Sequence, residues 1–141
     1  MLNPSVADEV IDDPTVTRVI DFSRREGMGA ARIVNLFAFI TPYPAELVIA
    51  DDPVGPDTDA HLAEVTRAAG LVIAAWGAPG VLRRNIGKER LRAVRRLLAG
   101  APLVSLGVTK AGQPRHPGRL LASTPLAAWR WPDLTRTGSL P

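Results

Sequence analysis

The sequence predicts an α/β fold, a three-layer α/β/α domain with a short, mainly parallel sheet. Segments with helical periodicity alternate with short apolar segments along the 141-residue chain. The apolar segments lack the polar alternation of a half-exposed strand, so we expect helices to cover both faces of their sheet. The length fits one domain with its own core. We therefore assign residues 1–121 to a single domain and residues 122–141 to a partly packed C-terminal tail.

The first half of the chain predicts two helices and one strand. Residues 12–14 (Asp-Asp-Pro) start a helix, because aspartate accepts from the free N–H groups of a first turn and proline fits the first helical position. Gly27 is expected to end this helix in a left-handed turn. Residues 32–39 (RIVNLFAF) are rich in β-branched and aromatic residues and predict a buried strand. A second helix is expected between residues 57 and 70.

The second half repeats this alternation. Residues 71–76 (LVIAAW) predict a second apolar strand, which the Gly- and Pro-containing turn of residues 77–80 ends. Residues 85–99 predict a strongly basic amphipathic helix, and residues 102–106 (PLVSL) predict a third strand. Beyond these, residues 129–132 (WRWP) are expected to pack as part of the tail. The order of elements therefore favours crossover units and a parallel sheet.

The composition excludes several kinds of site. The chain has no cysteine, so it has no disulfide, thiolate metal site or cysteine nucleophile. Its two histidines lie far apart in the sequence and do not form a zinc-ligand pattern, so we predict neither a metal nor a cofactor. No apolar run approaches the roughly 20 residues that span a bilayer, and the N-terminus lacks the pattern of a signal peptide. We expect a cytoplasmic location and no membrane partner.

Charge is divided unevenly along the chain. Residues 1–70 hold 12 acidic and 5 basic residues, whereas residues 71–141 hold 2 acidic and 12 basic residues. The basic half fits a surface that faces phosphate groups. The asymmetry is equally compatible with attraction between the two halves within the fold, or with a GC-rich genome that favours arginine. The basic residues expected on the polar side of helix 85–99 are Lys88, Arg92, Arg95 and Arg96.

Ligands bind at the carboxyl edge of an open parallel sheet, and polar or glycine-rich turns follow the predicted strands there. Asn3-Pro4-Ser5 lies at the start of the chain, Asn35 lies within the predicted strand 32–39, and Trp76-Gly77 ends the second strand. The third strand leads through Lys110 to Arg115 and His116. We expect these positions to converge on one rim of the sheet.

Three side chains are the candidate catalytic groups. Asn3 is suited to orient a water molecule or a base edge, and the alternative is an Asx turn that only closes the loop. His116 is suited to donate to a developing oxyanion or to bind phosphate, and the alternative is a loop histidine bonded to backbone. Asp8 is a candidate general base. The candidate substrate-binding residues are Pro4, Ser5, Asn35, Trp76, Gly77, Lys110 and Arg115.

Five segments together carry a resemblance to a known family. They are NPSVADEVIDDPT (3–15), RIVNLFAF (32–39), DPVGPDTDAHL (52–62), VIAAWGAPG (72–80) and SLGVTKAGQPRHP (105–117). This pattern resembles the bacterial and phage domain-of-unknown-function family 1643 (DUF1643) from residue 2 to about residue 121. The family has no established activity to carry over.

That family in turn is distantly similar to the uracil-DNA glycosylase fold. In the glycosylases, a motif after the first strand positions the attacking water, and a late histidine stabilises the departing base. The resemblance implies these roles for Asn3, in its Asn-Pro motif, and for His116, in its His-Pro motif. The full His-Ser-Pro motif is missing, since Gly118 follows Pro117. The aromatic floor on which a flipped base would stack is also not evident in the sequence. Trp76 is either a substitute for it or a core residue.

The family resemblance also implies an upstream segment that contains a central first strand, of which Met1 and Leu2 would be the remainder. Loss of a central strand leaves buried backbone groups unpaired, at about 1–3 kcal/mol each. We therefore expect a version with the upstream segment to be more stable and to unfold cooperatively.

The sequence supports hypotheses from different classes. The first is a glycosylase-like enzyme that acts on a nucleobase or nucleic acid, with the basic helix 85–99 and Arg115 near phosphate. The second is a non-catalytic module that binds a nucleotide or nucleic acid. The third is a hydrolase or transferase of a small nucleoside-like metabolite. Because enzyme status rests on similarity of fold, it is left open.

Overall fold

The computed structural model describes residues 1–4 and 14–132. Within them, three α-helices and three short strands follow the order helix, helix, strand, helix, strand, strand, so the alternation that the sequence predicts is present only in part. The helices are α1 (Pro14–Arg25), α2 (Thr58–Ala68) and α3 (Asn85–Leu97), and the strands are β1 (Val72–Ala74), β2 (Leu103–Ser105) and β3 (Ala127–Ala128). Three single-turn 3₁₀ helices span Pro44–Val48, Gly80–Arg83 and Pro117–Arg119. No helix in the described part of the chain is long and apolar enough to cross a membrane.

The fold is α/β, but its sheet is not mainly parallel. The strands lie in the order β1-β2-β3. β1 and β2 pair in parallel, with Val72 opposite Leu103, because α3 carries the chain back across the sheet between them. β2 and β3 pair antiparallel, with Val104 opposite Ala128. The prediction of a mainly parallel sheet is wrong in this respect, since the sequence did not indicate the two-residue strand β3.

The predicted strand 32–39 contains no regular strand in the structure. Its centre is nevertheless buried and hydrogen-bonded to the start of the chain. The Met1 amino group donates to the Val34 carbonyl at 2.8 Å, and the N–H of Leu36 donates to the Met1 carbonyl at 3.0 Å. The N–H of Phe37 donates to the Leu2 carbonyl at 2.9 Å. This is the pattern of a parallel pair, but the partner segment is too short to form a ladder.

The larger hydrophobic core joins the sheet, α3 and the C-terminal segment. α3 contributes the buried residues Leu91 and Val94, and Leu98 follows at its end, as the sequence periodicity predicts. Trp129 is 6% exposed, and it packs in the same core as Trp76. This tryptophan therefore contacts the domain, while the assignment of residues 122–141 as a partly packed tail stays a prediction.

A second, smaller core holds α1 against the chain after β2. It contains Phe22 of α1, with Leu106 and Leu120. α1 begins at Pro14 and is followed by Gly27 with φ of 71°, both as predicted. The predicted capping residues 12 and 13 lie outside the described residues. By contacting residues 117–119, α1 supports the turn that carries His116.

Candidate functional site

The turns after β1 and β2 meet at the carboxyl edge of the sheet, as predicted for the rim. The N–H of Gly77 donates to the Pro114 carbonyl at 2.9 Å. Residues 107–115 form a hairpin, in which the N–H of Arg115 donates to the Gly107 carbonyl at 3.0 Å and that of Thr109 donates to the Gln113 carbonyl at 2.8 Å. The hairpin therefore places His116 directly beside the end of β1.

His116 lies against a backbone turn that only glycine fits well. Gly77 has φ of 73°, in the left-handed region, and a Cβ added to it would lie 3.4 Å from the Cβ of His116. The His116 ring accepts a hydrogen bond at Nδ1 from the N–H of Gly118 at 3.2 Å. The imidazole of His116 is exposed at this turn.

Asn3 anchors the loop that follows residues 32–39. Its Nδ2 donates to the carbonyls of Thr41 at 2.8 Å, Pro4 at 2.9 Å and Phe39 at 3.4 Å. The N–H of Thr41 returns a bond to the Pro4 carbonyl at 3.1 Å. The amide nitrogen of Asn3 therefore closes the loop, which is the role that the Asx-turn alternative gives to this residue. The Oδ1 atom has no donor among the described residues, and the bonds at Nδ2 fix its direction.

Trp76 occupies the core rather than an open face. It is 4% exposed, and its ring stacks on Trp131 with centroids 5.3 Å apart and meets Trp129 edge-on at 5.2 Å. Its Nε1 donates to Oε1 of Gln113 at 2.8 Å. Trp131 would have to move before a base could stack on Trp76. The indole instead holds the hairpin of residues 107–115 in place.

The remaining predicted residues are dispersed. Lys110 and Arg115 are exposed on the hairpin, with the Arg115 side chain passing close to Gly107. Asn35 and Pro4 line a cleft of about 320 Å³ beside α2, which also includes His61. Ser5 and Asp8 lie outside the described residues.

The structure therefore brings together Trp76, Gly77, Arg115 and His116, and separately Asn3 and Pro4. Neither the 320 Å³ cleft nor a second cleft of about 440 Å³ is lined by Asn3 or His116. That these two side chains face each other across one cleft stays a prediction. Within residues 1–4 and 14–132, no group of three His, Asp or Glu side chains is arranged to hold a metal ion.

Two supporting residues could not be identified from the sequence. Gln113 fixes Trp76, and the Thr41 hydroxyl contacts Glu46 at 2.5 Å while its carbonyl holds Asn3. Each acts through a partner that only the folded chain brings near. The one signal in the sequence for Gln113 was its place within the segment that leads to His116.

A row of basic side chains begins near the same rim. α3 starts after the turn at the end of β1, so its first turn lies at the carboxyl edge and its last turn at the opposite edge. All members of the row are exposed; four lie on adjacent positions of α3, away from its buried face, and the first, Arg84, directly precedes the helix. We define this basic stripe as Arg84, Lys88, Arg92, Arg95 and Arg96.

Comparison with known proteins gives a family and no activity. Residues 1–118 match the family described as "Protein of unknown function (DUF1643)". The chain belongs to the DUF1643 family. No curated protein and no solved structure matches it. The DUF1643 match includes both Asn3 and His116, whereas Trp129 and Trp131 lie beyond its end.

Proposed function

We propose that this DUF1643 protein binds nucleic acid, with the basic stripe on α3 contacting the phosphate backbone. The observation that carries the proposal is the accumulation of five exposed cations, four on one face of α3 and one directly before the helix, with no acidic partner among the described residues. Exposed cations without counter-charges attract a polyanion and release its condensed counterions on binding.

Ion pairs among the described residues neutralise little of the charge asymmetry between the two halves of the chain. Three ion pairs are present among residues 1–4 and 14–132, and two of them, Arg18–Asp21 and Arg25–Glu26, lie within the acidic half. The third, Arg90–Asp59, joins the acidic half to the basic half. Mutual attraction of the two halves therefore accounts for one arginine of α3 and leaves the stripe to solvent or to a ligand.

The stripe has a length that suits a nucleic-acid backbone. From Arg84 to Arg96 it extends roughly 18 Å at the α-helical rise of 1.5 Å per residue. That length corresponds to about five base pairs of a duplex at 3.4 Å each. Contacts with phosphate alone give affinity without sequence preference, so the proposal specifies a polyanion and no sequence.

Salt-dependent binding separates this function from a merely solvated helix face. Fluorescence anisotropy with labelled 20-nucleotide single- and double-stranded DNA gives the affinity at several salt concentrations. We expect a steep linear fall of log K with log salt, with a slope near −0.9 per phosphate contact on the duplex. The triple variant Lys88→Gln, Arg92→Gln, Arg95→Gln should reduce the magnitude of that slope by about two to three.

The matched control removes the same charge elsewhere. Arg24, Arg32 and Arg67 are exposed and lie outside α3, and their triple change to Gln should leave the slope nearly unchanged. Equal losses in both triple variants would mean that net charge alone attracts DNA. The absence of salt-dependent binding in the unmodified chain would end the proposal.

Base release from DNA is a second candidate function, supported by two geometric features. The exposed imidazole of His116 lies beside the end of β1, a position suited to stabilising negative charge on a departing base. The Asn3 oxygen is fixed in direction and able to accept from a water molecule. In such a reaction, water attacks the anomeric carbon, the glycosidic C–N bond breaks, and its electron pair leaves with the base. Asp8 is the proposed acceptor of the water proton.

Assays on DNA that contains uracil or modified bases test this candidate. Release of free base should be lost in Asn3→Ala and His116→Ala and kept in the control His61→Ala. Because Asn3→Ala also frees the loop of residues 39–41, urea unfolding must show that the variant is folded. Tight binding of a free nucleotide without salt-dependent DNA binding would instead favour an enzyme of small nucleoside-like metabolites.

A further inference from the structure

Residues 39–49 expose several large apolar side chains within one short segment. Tyr43 is 65% exposed and Ile49 is 81% exposed, whereas Leu47 of the same segment is fully buried and fixes it to the larger core. Single exposed apolar residues are common on protein surfaces, but a group of them on one segment indicates a binding surface. We define this apolar platform as Phe39, Ile40, Tyr43, Val48 and Ile49.

Hydrogen bonds and prolines hold the backbone that carries Tyr43. Asn3 donates to the Thr41 carbonyl at 2.8 Å, and the N–H of Tyr43 donates to the Thr41 hydroxyl at 3.0 Å. Pro42 and Pro44 flank Tyr43, and the proline ring restricts φ at both positions. A ligand that binds here therefore has little backbone left to order, which favours affinity.

The apolar platform lies next to the start of the basic stripe. The 3₁₀ helix Pro44–Val48 contacts the 3₁₀ helix Gly80–Arg83. Arg84, the first cation of the basic stripe, directly follows the second of these helices. The single carboxylate of the segment that carries the platform, that of Glu46, is engaged by the Thr41 hydroxyl. A ligand that has both negative charge and flat apolar groups can therefore contact the two surfaces together.

Single-stranded nucleic acid has the chemistry that matches both surfaces. Its phosphates complement the basic stripe, and its unpaired bases expose flat faces that stack on aromatic rings. A duplex buries those faces between its base pairs, so it would leave the apolar platform without a partner. Building on the proposed function, we propose that the nucleic acid bound by this protein is a single strand, whose backbone follows the basic stripe and whose bases stack on the apolar platform at Tyr43.

Affinities for single strands and for a duplex test the proposal on the full chain. The probes are labelled oligothymidylate, oligouridylate and a DNA duplex of the same length, each measured by fluorescence anisotropy at the same salt concentration. We expect one or both single strands to bind about tenfold more tightly than the duplex, and the tighter of the two identifies DNA or RNA. Equal or tighter binding of the duplex would overturn the single strand as the substrate class and leave the proposed function standing. Binding of none of the probes would end both.

Variants of Tyr43 test the stacking contact. Tyr43→Ala should weaken binding of the single strand about tenfold, the loss expected for one stacked base. The slope of log K against log salt should not change, because the phosphate contacts remain. Tyr43→Phe keeps the aromatic ring and should bind as the unmodified chain does. The matched control Leu121→Ala removes an exposed apolar side chain outside the apolar platform and should have no effect.

A polyanion without bases separates the two surfaces. Inorganic polyphosphate should bind the basic stripe with a steep salt dependence, and Tyr43→Ala should not change its affinity, since polyphosphate has nothing to stack. Unchanged binding of the single strand in Tyr43→Ala would overturn the proposal and leave the apolar platform to a protein partner. An equal loss of affinity for polyphosphate in that variant would also overturn it, because the effect would then not depend on bases.

Discussion

Arg90 is a buried charge that joins three parts of the molecule. It is 4% exposed, its Nε donates to the Leu36 carbonyl, and its Nη1 pairs with Asp59 of α2. Its Nη2 has no acceptor within the described part of the chain. The guanidinium therefore satisfies a backbone carbonyl of the irregular segment 32–39 while it links α3 to α2.

Replacing Arg90 should destabilise the protein strongly. Arg90→Ala leaves a cavity and an unpaired Leu36 carbonyl, and we expect a loss of about 3 kcal/mol in the free energy of unfolding. Arg90→Lys keeps the charge without the fork that reaches both partners, so it should lose roughly 1–2 kcal/mol. Urea unfolding measures both. Arg92→Ala, on the same helix but exposed, should change stability by less than about 0.5 kcal/mol; a similar loss there would contradict the role of burial.

The Met1 amino group predicts a pH dependence of stability. Burial lowers its pKa from 8.0 to about 5 in the folded chain. Between these values the unfolded chain takes up a proton that the folded chain does not, so stability falls as pH falls. From about pH 8 to about pH 6 the free energy of unfolding should drop by roughly 2 kcal/mol from this group. Below about pH 5 the effect should level off, since both states are then protonated.

Comparison with an N-terminally acetylated chain isolates this effect from the histidines. Acetylation removes the ionisable group and leaves one N–H to bond the Val34 carbonyl. Urea unfolding of both forms over the same pH range gives the difference. An identical pH dependence in the two forms would show that the Met1 amino group keeps its ordinary pKa in the folded protein.

At single positions, the sequence indicated which side chains suit a functional role, but it did not indicate which distant residues those side chains contact. Asn3 was interpreted either as a ligand group or as a turn residue, and its acceptors Phe39 and Thr41 lie more than 30 residues away. Trp76 was similarly open, and its packing depends on Trp129 and Trp131. Such choices depend on tertiary contacts, so no local pattern could have settled them.

At the scale of elements, α3 depends on a close contact with the turn that precedes it. A Cβ added to Gly87 would lie 2.3 Å from the Val81 carbonyl oxygen and 2.4 Å from the Cα of Leu82. These are backbone atoms, so the 3₁₀ helix Gly80–Arg83 and α3 would have to separate. Gly87 is therefore required by the lack of space for a side chain and not by its backbone conformation, since its φ is not in the left-handed region.

Gly87→Ala should therefore destabilise the protein despite the higher helix propensity of alanine. Propensity alone favours alanine by about 1 kcal/mol, whereas overpacking against rigid backbone costs about 1–3 kcal/mol or more. We expect a net loss, measured as a lower urea midpoint. Ala93→Gly, on the same helix and half-buried, separates the two effects, since it should lose only about 1 kcal/mol. A stabilised Gly87→Ala variant would refute the close contact.

Elements whose signals lie in neighbouring residues of the sequence were predicted well, whereas strands that depend on a distant pairing segment were not. α1, α2 and α3 follow from periodicity and from breakers such as Gly27, all of which are local. Residues 32–39 have strand composition, yet their neighbours are the two residues Met1 and Leu2 and the Pro53 carbonyl, so no regular ladder forms. β3 consists of two exposed alanines, a composition with no strand signal.

For the whole molecule, the α/β class followed from the order of elements, whereas the sheet's mixed topology did not. The candidate site divides in the same way. The sequence located the rim turns that bring Gly77 to His116, because strand ends are predictable from glycine and proline. It did not establish whether Asn3 shares a cleft with His116, since that depends on the separation of two segments across the sheet.

The C-terminal segment contacts the sheet and core of the domain assigned to residues 1–121. β3 pairs with β2, and Trp129 bonds back to the sheet through its N–H to the Leu103 carbonyl at 2.9 Å. Its ring covers Trp76. Truncation after residue 121 should expose Trp76 and abolish cooperative unfolding, and Trp129→Ala should lose about 3–5 kcal/mol in the full chain. Urea unfolding followed by tryptophan fluorescence measures both, with Arg130→Ala, an exposed neighbour, as the control. A truncated chain that unfolds with the same midpoint would show that the core is complete without the three-tryptophan cluster.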